Sequence, residues 1–313
     1  MLIGITYPSV LGGGAPSTNS GTVETKGYEI TLTWRDKIGK DFSYNITAAF
    51  SDNTSLMTYL GGPAVLGRGI KSFVQGYAPY TLFGYKTEGI IQNETELAEI
   101  KTRFSKGGLP SNWGVGCVKI IDKNGDGILS EGGDVYDLGS TEPRYGFSLN
   151  LGMRWKGLDF SAFLQGYGKV IGYSQRSAEA FDAWYINQSS YYIGKSALVG
   201  DDPSNPGHKI VLNPEAKYAL TGIQTSLNYL YNDLSANDYG YVRLKQISLG
   251  YTIPEKWCNK IKIQGLRVFV SGNDVWEWVK RNDGFDPESD WRNAQSNNYP
   301  AMRSWSLGVN LNF

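Results

Sequence analysis

The chain has 313 residues, no net formal charge, 19% charged and 13% aromatic residues, 39 glycines and two cysteines. That balance gives no electrostatic footprint for nucleic acid, and Cys117 and Cys258 are too few for a disulfide framework or a zinc site, leaving two thiols or one bridge in an oxidising compartment. No run approaches the roughly 20 apolar residues of a membrane helix, which does not exclude a barrel, whose strands need only about 9 to 11 residues each.

From the start, Met1 to Tyr7 is short and apolar and is followed by Pro8, with no basic start and no cleavage site, so Leu2 to Thr6 reads as the end of a strand rather than a secretion signal. The glycines Gly12 to Gly14 precede neither a helical pattern nor a Lys-Ser/Thr pair, so they do not form a phosphate-binding loop. Tyr28, Ile30, Leu32 and Trp34 then alternate with polar residues, and after a short turn Phe42, Tyr44, Ile46, Ala48 and Phe50 do the same, which predicts a hairpin. Glu94 to Phe104 reads as a short helix with Leu97, Ile100 and Phe104 on one side.

The run DKNGDGILSEGGD follows. Asp122, Asn124 and Asp126 are spaced as oxygen ligands of a calcium loop, Ile128 could add its carbonyl, and Gly127 permits the sharp turn. Position 12 of such a loop is here Gly133 instead of a bidentate Glu, and Asp134 arrives one residue late, so a metal-free turn built by Asx side chains is the other reading. Tyr145, Phe147, Leu149, Leu151 and Met153 give a third strand, and a turn at Lys156 and Gly157 leads to a fourth through Phe160, Ala162 and Leu164. Trp184, Tyr185, Tyr191 and Tyr192 form an aromatic cluster in the next connection. They serve either as a platform for sugar rings or peptide side chains, or as the packing of a large loop.

Ile247, Leu249, Tyr251 and Ile253 mark a fifth strand, and Leu266, Val268 and Val270 a sixth whose polar face is interrupted by Phe269. GFDPESD, with Asp286, Glu288 and Asp290, reads as a solvated acidic turn, since an acid/base pair needs a separation that sequence does not define. The single His208 has no nucleophile and orienting partner beside it in sequence, and no enzymatic constellation emerges. The last strand is the most regular: Trp305, Leu307, Val309, Leu311 and Phe313 alternate with Ser304, Ser306, Gly308, Asn310 and Asn312.

Such alternation fits two architectures. In a soluble sandwich, a surface-attached glycan-binding or adhesion module for example, the apolar face turns inward; in an outer-membrane barrel it faces lipid. Trp34, Trp155 and Trp305 near strand ends favour the barrel, where aromatic rings sit at the two water-lipid interfaces. Short turns near 36–40, 156–158 and 254–260 alternate strictly with long connections near 8–27, 55–142, 171–238 and 274–301. This is the barrel pattern of short periplasmic turns and long outer loops. Seven strands and the Leu2 stub make about eight, which suits an arc of a wider antiparallel transmembrane barrel.

Several segments, in order, resemble the SusC/RagA family: TKGYEI at Thr25, FGYKTEGI at Phe83, DKNGDG at Asp122 and PRYGFSLNLGMRWKGLDFSAFLQG at Pro143. YVRLKQISLGYTIP at Tyr241, LRVFVSGND at Leu266, GFDPESD at Gly284 and YPAMRSWSLGVNLNF at Tyr299 continue the series. The resemblance covers nearly the whole chain. It implies the carboxy-terminal part, over residues 1–313, of a TonB-dependent transporter of about 22 strands in the outer membrane of a Gram-negative bacterium. It further implies oligosaccharide or peptide cargo, a SusD-like surface lipoprotein as partner, and coupling to the TonB complex through a plug and amino-terminal region that would precede this segment.

Overall fold

The computed structural model describes residues 2–4, 17–61, 67–173, 192–221, 228, 231–281, 284–293 and 301–312. Seven long strands dominate it: β1 Gly21–Ile38, β2 Phe42–Leu60, β3 Arg144–Trp155, β4 Leu158–Lys169, β5 Tyr241–Thr252, β6 Gly265–Val279 and β7 Ser304–Asn312. They form one sheet in simple sequence order, every neighbour antiparallel, with β1 and β7 as its two edges. The eighth, short segment stands apart. Leu2–Gly4 pairs with Ser17–Asn19 outside this sheet.

At one end the strands are joined tightly. Lys156 and Gly157 both adopt positive φ, 46° and 88°, the geometry that a two-residue hairpin turn needs to follow the strands' twist. Residues 39–41 close the first hairpin, and 253–264 carry a short helix, Glu255–Cys258. At the other end, residues 61–143, 170–240 and 280–303 connect the strands.

Cross-strand partners share a face, so the register sorts every side chain. One row runs Trp34, Ile46, Leu151, Ala162, Ile247, Gly272, Trp305; another runs Ile38, Phe42, Trp155, Leu158, Tyr251, Val268, Val309. On the opposite face lies Arg35, Asn45, Gly152, Ser161, Ser248, Ser271, Ser306. The apolar face is bare: Leu32 is 68% exposed, Trp34 63% and Leu307 78%. A sandwich would bury these side chains under a second sheet, so the sandwich reading fails. A wall against lipid is left.

Trp34 and Trp305 share a row, yet rows in a tilted sheet slant across the membrane. Trp34 lies four residues from the turn end of β1, whereas Trp305 is the second residue of β7 at the loop end. Register slips where both β5 and β6 bulge, between Leu244 and Gln246, and there Lys245 Nζ meets Asp274 Oδ1 at 2.9 Å. The bulge returns Leu244 to the apolar face opposite Leu164 and Trp276.

The long connections build a core of their own. Val74, Phe83, Ile91, Ile100, Phe104, Trp113, Val118 and Ile120 are buried together, with short strands Thr81–Gly84, Thr87–Ile90, Val118–Ile120 and Tyr136–Ser140 around them. The expected helix is present as α1, Glu94–Arg103, started by Asn93, whose side chain accepts from the Glu96 N–H, and buried through Ile100. Cys117 and Cys258 are both buried free thiols. No helix among the described residues is long and apolar enough to cross a membrane, which leaves crossing by strands untouched.

Candidate functional site

Chemistry concentrates on the polar face. Near the turn end, Asp159 on β4 takes a bidentate pair from Arg267 on β6, although β5 lies between them. The bridge passes over Gly250, where any Cβ would collide with the Arg267 guanidinium. Phe269, the apparent flaw in the polar face, lies over its cross-strand partner Gly308, where a Cβ would run into the ring. Arg267 stacks on that ring at 4.8 Å.

Toward the loop end, Arg243 on β5 is 3% exposed and meets three carboxylates: Glu277 at 2.7 Å, Asp286 at 2.8 Å and Glu288 at 2.9 Å. Lys245 joins Glu288 at 2.9 Å. GFDPESD therefore is not the solvated turn its composition suggests. It folds back as a strap onto the polar face, because a buried guanidinium requires carboxylates around it. Burial by itself would raise the Asp286 carboxyl, but the backbone N–H groups of Glu288 and Ala301 and the Arg243 guanidinium hold it below the usual aspartate range.

Between strap and sheet lies a cavity of about 640 Å³. Its floor is polar-face residues Ser51, Gly146, Gln165, Tyr167 and Tyr241, and its outer walls are Thr141 to Pro143 and the strap from Pro287 to Arg292. Tyr167 and Tyr241 meet edge-on with centroids 6.1 Å apart. Behind the strap Trp291 stacks on Tyr239 at 4.1 Å, and its Nε1 donates to the Pro287 carbonyl.

The 122–134 loop is compact. Asp122 accepts from the N–H groups of Gly125 and Gly127, Asn124 Oδ1 accepts from Asp126 N–H, and Asp126 Oδ1 accepts from Ile128 N–H. Asn124 Nδ2 also donates to Asp126 Oδ2 at 2.8 Å. Asp134, fully buried, closes the loop by accepting from Lys123 and Ser130 N–H. Among the described residues no three His, Cys, Asp or Glu side chains converge to hold a metal ion. Of the aromatic cluster, Trp184, Tyr185 and Tyr191 lie outside the described residues. Tyr192 is 4% exposed, edge-on to Tyr218 at 5.0 Å and reached by Arg281, so its ring packs the loop core and is closed to a ligand. His208 Nδ1 lies 2.6 Å from Glu94 on α1, an exposed pair that ties one loop to another.

No family model matches the chain. Among curated proteins it is 27% identical to TonB-dependent receptor P26 of Formosa agariphila over all of its length and 31% of that protein's. It is 24% identical to the TonB-dependent receptor SusC of Bacteroides thetaiotaomicron, over 94% of this chain and 27% of the relative. A solved structure of the RagAB peptide transporter superposes on the whole chain with a TM-score of 0.69 at 19% identity, over 32% of its own chain. The chain is a SusC/RagA-like stretch of barrel wall. It spans about a third of the length of the curated relatives it matches.

In a SusC/RagA-like wall the polar face is the lumen side, which puts the Arg243 cluster and the cavity inside the bore. The relatives are receptors and transporters rather than enzymes, in keeping with carboxylates that hold loops in place. Tyr167 carried no sequence signal beyond its polar-face parity, and Arg243 and Tyr241 not even that: counted from Ile247 they fall on the apolar side, and only the bulge at Lys245 turns them to the polar face. Arg243 meets Asp286 across 43 residues, a separation that no local motif can encode.

Proposed function

We propose that this SusC/RagA-like chain forms part of the wall of a TonB-dependent nutrient importer in the outer membrane of a Gram-negative bacterium. Its cargo is oligosaccharide, and a SusD-like surface lipoprotein is its partner at the outer loops. The observation that carries the reading is the two-faced seven-stranded arc: predominantly apolar rows on one face, interrupted by Asp36 near the turn end of the edge strand β1, hydroxyls, amides and ion pairs on the other, tight turns at one end and a folded loop layer at the other. Coupling to the TonB complex belongs to the plug region that the family resemblance implies.

The 122–134 loop serves, in this reading, as a self-sufficient turn of the outer layer, supported by the backbone amides that its carboxylates accept. The test of import is uptake of fluorescently labelled neutral oligosaccharides by cells with and without the gene. Uptake lost on deletion, restored by complementation and absent in a TonB-deficient strain supports the proposal. Uptake indifferent to the gene contradicts it.

A further inference from the structure

We infer that the turn between β5 and β6 docks on the headgroups of anionic phospholipids in the leaflet at the turn end of the wall; this rests on the membrane-wall reading above. The turn is helical. Glu255–Cys258 runs on into a 3₁₀ turn, Asn259–Ile261, and Lys262 ends it in the left-handed region at φ 59°. Cys258 is buried with its Sγ toward the Ile253 carbonyl, and the Ile263 N–H donates to the Cys258 carbonyl, which pins the turn to the end of β5. Beside the buried thiol, Trp257 is 61% exposed. A bare indole is costly in water but suited to a membrane boundary, where its apolar body meets acyl chains and its N–H meets water. The turn is placed at that boundary. Ile253 N–H donates to the Leu266 carbonyl, so the apolar parity of Ile247, Leu249 and Tyr251 runs up to the start of the helix. Thr252 N–H donates to the Gly157 carbonyl, which sets the neighbouring turn alongside, with Trp155 on the apolar face and Lys156 Nζ 5.7 Å from its ring centroid.

Charge selects the lipid. Lys256, Lys260 and Lys262 are exposed, and among the described residues no carboxylate pairs with any of them. Lys256 and Lys260 lie one helical turn apart, a spacing at which like charges repel. A phosphate between them removes that repulsion, and the long lysine stems let the amines reach headgroups while the ring of Trp257 sits at the acyl boundary. A zwitterionic headgroup brings its own ammonium to the same phosphate, so a lipid of net negative charge binds better. An acidic protein would answer the lysines but not the continuity of Trp257 with the lipid-facing rows.

The test uses the intact transporter in phosphatidylcholine vesicles with two trace probes, a phosphatidylglycerol and a phosphatidylcholine, each carrying a diazirine at the head of one acyl chain. Peptide mass mapping reads adducts on the turn and on the apolar rows, and heat-modifiable gel mobility confirms a folded barrel in every variant. The turn is expected to take the phosphatidylglycerol probe about fivefold or more over the phosphatidylcholine probe. Lys256→Gln, Lys260→Gln and Lys262→Gln combined bring the two probes to parity, and Trp257→Ser lowers labelling by both. Equal labelling in the unsubstituted protein, a preference that survives the triple substitution, or a turn that neither probe labels overturns the proposal. So does a preference abolished by inorganic phosphate at fixed ionic strength, since the turn then takes a free anion rather than a lipid. Adducts at Leu149 and Leu307 with the turn unlabelled defeat the docking site alone; apolar rows without adducts defeat the membrane-wall reading itself.

Discussion

At the level of single residues, burial decides which charges matter. Arg243 is nearly inaccessible, so Arg243→Met leaves Asp286 buried without its cation, a loss of about 3 to 5 kcal/mol. Asp290 and Arg292 form a half-exposed pair, and Asp290→Asn changes stability by under about 1 kcal/mol. Hydrogen exchange at the Glu288 and Ala301 amides, which both donate to Asp286, distinguishes the two: fast in the first variant, unchanged in the second. Acid does the same work without mutation. Because the folded Asp286 carboxyl lies below its unfolded value of about 4, its contribution is complete above that pH and is lost as pH falls through the folded value. The strap amides therefore stay protected at pH 6 and open only below about pH 4. Protection lost already at pH 6 would show that another group holds the strap. In the 122–134 loop, Asp134→Ala removes the buried carboxylate that accepts from the Lys123 and Ser130 N–H groups and costs about 2 kcal/mol, whereas chelation by EDTA leaves the loop's exchange unchanged. A calcium stoichiometry of one, abolished by Asp122→Ala, would contradict the metal-free turn.

At the level of elements, the seven strands were legible because a two-residue period over an apolar face is a local signal. Their ends were not. The alternation of apolar residues stops near Tyr28 and Phe50, yet β1 begins at Gly21 and β2 runs to Leu60, where Thr, Lys, Asp and Asn fill both faces and the ladder continues without an apolar stripe. Likewise β6 continues to Val279 past Asp274, whose charge at an apolar-parity position ends the simple count before Trp276 and Trp278, although both keep the parity of Val268 and Val270. Phe269 on the polar face becomes intelligible only with Gly308 beside it, 39 positions later. α1 was readable from its own apolar side, whereas the strap depended on a distant arginine. Face identity gives a prediction at this scale: Leu307→Arg costs about 2 to 4 kcal/mol in lipid, and Ser306→Arg, one residue away on the wet face, less than about 1. Urea unfolding in lipid vesicles measures both, and equal penalties would mean the faces are misassigned.

For the whole molecule, among the described residues the sheet has two edge strands, an 18-residue β1 and a 9-residue β7, neither of which pairs with a further long strand. In hydrocarbon such edges are untenable, so a wall of this kind completes its ladder with further strands of a closed barrel. The loop layer packs its own core above one end and folds back, through the strap, to narrow the bore beside β5. Shape and chemistry thus agree on a wall that is dry outside, wet inside and roofed by folded loops. If the bare apolar face meets lipid, photo-crosslinking from a diazirine fatty acid in the membrane gives adducts at Leu32, Leu149 and Leu307 and none at Thr33, Ser148 and Ser306; the reverse pattern would mean that the hydroxyl-bearing face is the one in lipid.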